Sequence, residues 1–141
     1  MKRNSRLSLA LHTLSHMAGS PDRLRTSAEI AEHSGTNPVV VRRVLGKLRQ
    51  AGLLISEKGH SGGWRLALKP EDITLADVYL ALDERMVATN EPSEASVCSV
   101  EYALHERVSR VLEEIEESLV RKLSETVISD VHGVKEDGEY Q

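Results

Sequence analysis

Residues 25–68 read RTSAEIAEHSGTNPVVVRRVLGKLRQAGLLISEKGHSGGWRLAL, and the central elements of the fold can be predicted from them. Its first half predicts two short helices. Thr26 and Glu29 have the spacing of a capping box that begins the first helix, and Gly35 supplies the left-handed conformation that ends it. Asn37 caps the next helix, which starts with a proline whose missing amide hydrogen costs nothing there. Because the turn between these helices is so short, they form a helix-turn-helix unit.

The second half of the stretch predicts a β-hairpin. Residues 53–55 and 64–68 have the composition of two short strands, and the glycine-rich segment between them permits a tight turn. A hairpin that directly follows the second helix of a helix-turn-helix unit is the wing of a winged helix. Trp64, the single tryptophan of the chain, is expected to anchor this hairpin.

Helices are also predicted on both sides of the central stretch. Apolar residues at three- and four-residue steps predict a helix over about residues 4–18. Thr74 and Asp77 form a second capping box, for a helix that runs through Leu82. These assignments predict that residues 1–82 form a winged helix-turn-helix domain, an architecture typical of DNA-binding domains.

The carboxy-terminal part of the chain is predicted to form a dimer. A polar linker loop at residues 83–98 leads to a long dimerisation helix at 99–131, and a flexible tail follows at 132–141. A long, narrow apolar seam suits a partner helix better than a globular core. The fold class is therefore mainly α with a small β-hairpin wing, extended by a long carboxy-terminal helix. The predicted dimerisation residues are Val100, Leu104, Val108, Val111, Ile115, Leu119 and Leu123.

Charge is divided unevenly along the 141 residues, although the net charge is only −4. Residues 1–70 contain twelve basic and four acidic side chains, a net charge of +8, which leaves −12 for the remainder. Such asymmetry is typical of a protein with one polyanion-binding end. With one cysteine and no apolar run long enough to span a bilayer, the sequence predicts a cytoplasmic protein without a membrane segment.

The helix that begins at Asn37 is the predicted reader of double-stranded DNA. Recognition helices contact base edges with their first turns, arginine can donate two hydrogen bonds to guanine, and lysine or arginine can neutralise phosphates. A merely solvated helix surface is the alternative for any one amphipathic helix. Here the tight turn, the wing and the local charge all favour DNA. The predicted DNA-binding residues are Arg25, Thr26, Thr36, Asn37, Val39, Val40, Arg42, Arg43, Lys47, Lys58, Gly59, His60 and Ser61, with phosphate contacts also expected from Arg49, Lys2, Arg3 and Arg6.

Two other classes of function are weighed against DNA binding. A winged-helix module that binds only protein partners is disfavoured, because protein interfaces tend to be depleted in lysine. An enzyme is not predicted, since the sequence contains no nucleophile–base constellation, phosphate loop or zinc-ligand spacing.

The stretch from Arg25 to Leu68 resembles the Rrf2 family of bacterial transcriptional regulators. The glycine-rich wing, residues 59–67 (GHSGGWRLA), carries the most specific part of the resemblance. The family implies a homodimeric repressor that binds an imperfect palindrome, with one recognition helix of each subunit in the major groove and each wing toward the minor groove. Many members carry an arginine where this chain has Lys58, and lysine lacks the planar fork of arginine.

The sensor region departs from the relatives that bind iron–sulfur clusters. Those relatives supply three cysteines near the start of the long helix, whereas this chain has only Cys98, with Glu101 where a histidine ligand can occur. No cluster or other cofactor is therefore predicted. Cys98 is a possible redox sensor, but a small apolar filler is favoured because nearby glutamates oppose the thiolate. Control of the regulator by a metabolite or a partner protein is the alternative.

Two histidines and two tyrosines are further candidates for ligand binding. His12 and His16 lie one helical turn apart and could hold a metal, yet partly buried packing is favoured and no metal site is predicted. Tyr79 and Tyr102 could line a small-molecule pocket, although packing in the core is favoured for both.

Overall fold

The computed structural model describes residues 5–59, 62–83 and 99–132. Helices dominate these residues, and one two-stranded antiparallel sheet joins them. The predicted fold class, mainly α with a hairpin wing and a long carboxy-terminal helix, is confirmed. In chain order the elements are α1 (Ser5–Gly19), α2 (Ser27–Ser34), α3 (Pro38–Gln50), β1 (Leu54–Glu57), β2 (Gly63–Leu66), a 3-10 turn (Pro70–Asp72), α4 (Leu75–Leu82), α5 (Ser99–Leu123) and α6 (Ile128–His132).

Local capping interactions set the bounds of the helix-turn-helix unit. Thr26 Oγ1 accepts a 3.0 Å hydrogen bond from the amide of Glu29, whose carboxylate accepts in return from the amide of Thr26. Gly35 ends α2 with a left-handed φ of 70°. Asn37 Oδ1 then accepts a 3.0 Å hydrogen bond from the amide of Val40 and starts α3. The two helices are therefore placed by the residues that the sequence indicates.

The wing hairpin pairs β1 with β2 in antiparallel register, with Leu54 opposite Leu66. Arg25 adds a third backbone segment to this sheet. Its amide donates to the carbonyl of Trp64 at 3.0 Å and its carbonyl accepts from the amide of Trp64 at 2.8 Å. A Cβ atom on Gly63 would lie 2.7 Å from the carbonyl oxygen of Arg25, so this close approach requires glycine.

The hydrophobic core lies between α1, α3 and α4, with the wing and α6 closing its sides. The inner face of α3 is fully buried, and Tyr79 of α4 is 2% exposed. The hydroxyl of Tyr79 donates a 2.9 Å hydrogen bond to Glu116, which ties α5 to the domain. Tyr79 is thus a core residue, as favoured from the sequence, whereas Tyr102 on α5 is 55% exposed.

The carboxy-terminal region differs from the expected single helix over residues 99–131. Helix α5 ends at Leu123, and the chain turns back so that α6 packs against α1. The amide of Ile128 donates to the carbonyl of Ile73 at 2.8 Å, and the Ile128 side chain is fully buried. The expectation of one continuous helix was wrong, because these contacts with the 3-10 turn and α4 interrupt it.

The apolar seam of α5 divides into two parts. Leu119 and Leu123 pack against the core of the domain. The remaining five side chains face solvent, with exposed fractions between 48% and 63%. They are Val100, Leu104, Val108, Val111 and Ile115, and they are called the α5 stripe below. Among the described residues, no helix has the length and apolar character needed to cross a membrane.

Candidate nucleic-acid interface

Helix α3 presents two arginines to solvent because its opposite face is committed to the core. Burial of Val41, Val44, Leu45 and Leu48 fixes the rotation of the helix. Arg42 and Arg43 consequently lie on its exposed face, together with Val39, which is 52% exposed. Within the described part of the chain, no carboxylate lies within ion-pair distance of either guanidinium. Both are therefore available to an external acceptor.

Several of the other predicted readers have structural tasks at the start of the two helices. The side chains of Thr26 and Asn37 accept the capping hydrogen bonds of α2 and α3. Val40 packs against the core, and the amide of Thr36 donates a 3.0 Å hydrogen bond to the carbonyl of Ala31. Thr26 and Asn37 remain exposed while they cap, whereas Thr36 and Val40 are half-buried.

The basic residues at the end of α3 contact neighbouring elements. Lys47 Nζ donates a 3.2 Å hydrogen bond to the carbonyl of Leu82, the last residue of α4. Arg49 donates to Ser56 Oγ at 3.1 Å, and its guanidinium carbon lies 5.9 Å from the centre of the Trp64 ring. These contacts join α3 to α4 and to the wing, tasks that the amphipathic pattern alone does not reveal.

Arg25 and Trp64 connect the wing to the helices. The half-buried Arg25 side chain donates a 3.1 Å hydrogen bond from Nη2 to the carbonyl of His16. The indole of Trp64 donates to Ser27 Oγ at 3.0 Å, at the start of α2. The expectation that Trp64 anchors the hairpin is confirmed by this bond.

The described residues on either side of the wing tip expose basic charge. The amide of Gly62 donates to the carbonyl of Gly59 at 3.0 Å, and Lys58 is exposed. Arg65 is paired with Glu57 at 3.1 Å, so its charge is balanced within the hairpin. Four of the predicted residues lie outside the described part of the chain: His60, Ser61, Lys2 and Arg3. Cys98 also lies outside it.

Three histidines form a second group of polar side chains, of which the sequence indicates only two. His12 and His16 of α1 meet His33 of α2, and one ring nitrogen from each lies within 4.8 Å of the others. They line an open pocket of about 610 Å³ together with Glu29 and Glu32. The pKa of His12 is lowered by burial and, to a smaller extent, by the charge of His33. No spacing rule links His33 to α1, because the packing of α2 on α1 alone brings them together.

Comparison with known proteins places the chain in one family along almost its whole length. A family model described as "Rrf2: Iron-dependent Transcriptional regulator" matches residues 3–133. The Bacillus subtilis protein YwnA, named as an HTH-type transcriptional regulator, is 34% identical over 130 residues, which cover 91% of this chain and 95% of YwnA. The regulator IscR of Aliivibrio salmonicida is 42% identical over 62 residues, 44% of this chain but only 37% of that protein.

The fold is shared with solved structures of regulators. CymR, the global cysteine regulator of B. subtilis, matches with a TM-score of 0.66 at 22% identity. The match covers 96% of this chain and 99% of CymR. At this identity, the likeness establishes the winged-helix fold and the long carboxy-terminal helix.

The iron in the description of the family model can be tested against the donor atoms of this chain. An iron–sulfur cluster is held mostly by cysteine thiolates, usually four, and the whole sequence contains one cysteine. The described residues bring together three imidazoles instead. The available donors therefore do not fit an iron–sulfur cluster.

The family match along most of the chain and the identity with YwnA indicate the same kind of protein as the helix-turn-helix unit and its wing do. Relatives across this family are regulators, and the exposed basic face of α3 is the feature that such a protein needs. The chain belongs to the Rrf2 family, whose members are winged-helix transcriptional regulators and not enzymes.

Proposed function

We propose that this protein is a homodimeric, cytoplasmic repressor that binds a palindromic operator through α3 and the wing. The observation that carries the proposal is the solvent-facing pair Arg42 and Arg43 on a helix whose other face is locked into the core. A helix held this rigidly can place side chains against base edges with little loss of backbone conformational entropy.

Base recognition is assigned to the first turns of α3. A guanidinium can donate two hydrogen bonds to O6 and N7 of guanine, and a valine methyl group can pack on the methyl group of thymine. Arg42 and Arg43 suit the first contact, and the exposed Val39 suits the second. Thr36 and Asn37 lie at the start of the helix, where recognition helices enter the major groove.

Phosphate contacts are assigned to the wing and to the basic residues around the helices. Lys58 and Gly59 lie at the tip of the hairpin, where the absence of a side chain on glycine allows close approach to the DNA backbone. Arg25, Lys47 and Arg49 contribute positive potential near α3, although each also makes an internal contact. These contacts orient the protein on the duplex but do not read its sequence.

Dimerisation is assigned to the α5 stripe. Five large apolar side chains at three- and four-residue steps are exposed along one face of a 25-residue helix. A contiguous apolar surface of this kind usually marks an interface, and this spacing fits a partner helix. A second copy presents the same stripe, and a two-fold dimer places two α3 helices on a two-fold symmetric operator.

The inducing signal is assigned to a ligand or partner protein rather than to a thiol. Glu101 lies in the first turn of α5, three residues after Cys98, and a carboxylate so close disfavours the thiolate. We expect Cys98→Ser to bind operator DNA as tightly as the wild type, with and without peroxide. Loss of a peroxide response in Cys98→Ser, where the wild type has one, would make Cys98 the sensor.

Fluorescence anisotropy with a random labelled duplex tests the DNA-binding part of the proposal. Counterion release predicts that affinity falls steeply between low and physiological salt. A winged-helix module that binds only proteins would show no duplex binding even at low salt.

A further inference from the structure

Three histidine side chains converge where the second half of α1 passes the end of α2. The Nε2 atoms of His16 and His33 are 2.8 Å apart, and the ring centres of His12 and His16 are separated by 4.6 Å. The ring centres of His12 and His33 are 5.3 Å apart. One ring nitrogen from each of the three residues falls within 4.8 Å of the other two.

From this geometry we propose that His12, His16 and His33 form a binding site for a divalent transition-metal ion such as Zn²⁺. The site goes beyond the proposed function, since binding of the ion requires neither DNA nor a second subunit. It also differs from an iron–sulfur site. A cluster needs several cysteine ligands and this chain has one cysteine, whereas every protein ligand proposed here is an imidazole nitrogen.

The donor chemistry selects the class of ion. Imidazole is a ligand of borderline softness that suits Zn²⁺, Cu²⁺, Ni²⁺ and Fe²⁺, whereas Mg²⁺ and Ca²⁺ prefer oxygen. Three histidines with a fourth position left for water are a known arrangement for zinc. The fourth position here opens into the pocket, and the exposed Glu32 lines the same pocket.

The observed spacing is close to the spacing that a metal needs. Zinc–nitrogen bonds of about 2.0 Å in a tetrahedral site place the ligand nitrogens roughly 3.3 Å from one another. The 2.8 Å pair must open slightly, and the widest pair, within 4.8 Å, must close. His12 and His33 are exposed, so side-chain rotation can supply this adjustment without moving either helix.

Ordinary packing accounts for the group less completely. A hydrogen bond between His16 and His33 uses one proton and explains the contact of two rings. It does not explain why a third imidazole, His12, lies against both of them on a surface where its ring could turn to water. A shared ion would hold all three.

A bound ion would have a structural consequence. Two ligands belong to α1 and one belongs to α2, so the ion would cross-link the first helix to the helix-turn-helix unit. The carbonyl of His16 also accepts the hydrogen bond from Arg25, whose backbone pairs with the wing. An ion that binds the folded state and not the unfolded state would raise the melting temperature of the protein.

Isothermal titration calorimetry of Zn²⁺ into the untagged, EDTA-treated full-length protein tests the site. We expect the titration to give one Zn²⁺ per chain. In thermal unfolding, the melting temperature should be higher with Zn²⁺ than in EDTA. His33→Ala should weaken Zn²⁺ binding by more than about tenfold and abolish the increase in melting temperature. The matched control is His105→Ala, which removes an imidazole from α5 and should leave both measurements unchanged.

His33→Gln and Mg²⁺ provide two further controls for the Zn²⁺ titration. His33→Gln retains a polar side chain of similar size, and both His33 variants should melt like the wild type in EDTA. Mg²⁺ should bind no variant. The proposal is overturned if the wild type takes up no Zn²⁺, or if His105→Ala weakens binding as much as His33→Ala does. Because no DNA is present, neither outcome depends on the repressor function.

Discussion

Among single residues, Arg42 and Arg43 contribute most to the proposed recognition of DNA. Their side chains extend from a helix whose orientation is fixed by four buried neighbours, and they lack an ion-pair partner among the described residues. A guanidinium in this situation keeps its hydrogen-bonding capacity for a base edge.

Replacing either arginine by alanine should therefore relax sequence preference. A bidentate contact with guanine contributes about 1–3 kcal/mol of discrimination, so the ratio of affinities for matched and scrambled duplexes should fall by that amount. Competition titrations measure the ratio. Arg110→Ala removes the same charge from α5, on a face away from the α5 stripe, and should leave the ratio unchanged. An unaltered ratio in both α3 variants would refute base reading by these residues.

Alanine substitutions at two glycines should change the free energy of unfolding in opposite directions. A Cβ atom at Gly62 would lie 2.2 Å from the carbonyl oxygen of Glu57, so Gly62→Ala must distort the wing and should lower the free energy of unfolding by about 1–3 kcal/mol. Gly46 lies inside α3, where such a Cβ would meet no atom within 4 Å beyond its chain neighbours and the backbone of its own helix, and Gly46→Ala should raise the free energy of unfolding by about 0.5–1 kcal/mol. Urea unfolding of both variants checks the signs. Equal effects of the two substitutions would contradict the wing geometry.

At the scale of elements, the short helix α6 contributes more than its length suggests. Ile128 is fully buried against the domain, and two backbone hydrogen bonds join this segment to Ile73 and Leu75. Ile128→Ala should lower the free energy of unfolding by about 2–5 kcal/mol, because a cavity opens in the core. Val131, which is 37% exposed on the same helix, is the control, and Val131→Ala should change stability far less.

The α5 stripe makes a separate prediction about assembly. Val108→Asp places a charge in the middle of the proposed interface and should convert the dimer to a monomer. Glu113→Ala lies on the opposite face of α5 and should leave the dimer intact. Sedimentation equilibrium distinguishes the two species. A wild-type protein that is already monomeric at micromolar concentration would contradict the interface.

The sequence predicts those elements whose signals are local. The capping boxes at Thr26 and Thr74 and the left-handed Gly35 involve neighbours along the chain, and the structure contains all three. The end of α5 was not predictable, since its extent depends on the tertiary contact between Ile128 and Ile73. Within the candidate site, the internal contact of Lys47 depends likewise on packing between α3 and α4.

At the scale of the whole molecule, the division of charge indicates how the protein meets DNA. The half that contains the helix-turn-helix unit and wing has a net charge of +8, and the remainder, including α5, has −12. The positive half should be drawn to the duplex while the acidic helices stay away from it. A net charge of −4 conceals this arrangement completely.

Selection of bound sequences from a random duplex library shows whether α3 reads DNA as part of a two-fold symmetric dimer. We expect enrichment of one two-fold symmetric site whose half-sites lie one helical turn, roughly 10 base pairs, apart. The same selection with the Arg42→Ala/Arg43→Ala double variant should retain salt-dependent binding but lose the enriched motif. If the wild type bound DNA and enriched no symmetric site, or if the double variant enriched the same site, the assignment of α3 as the reader in a dimer would be contradicted.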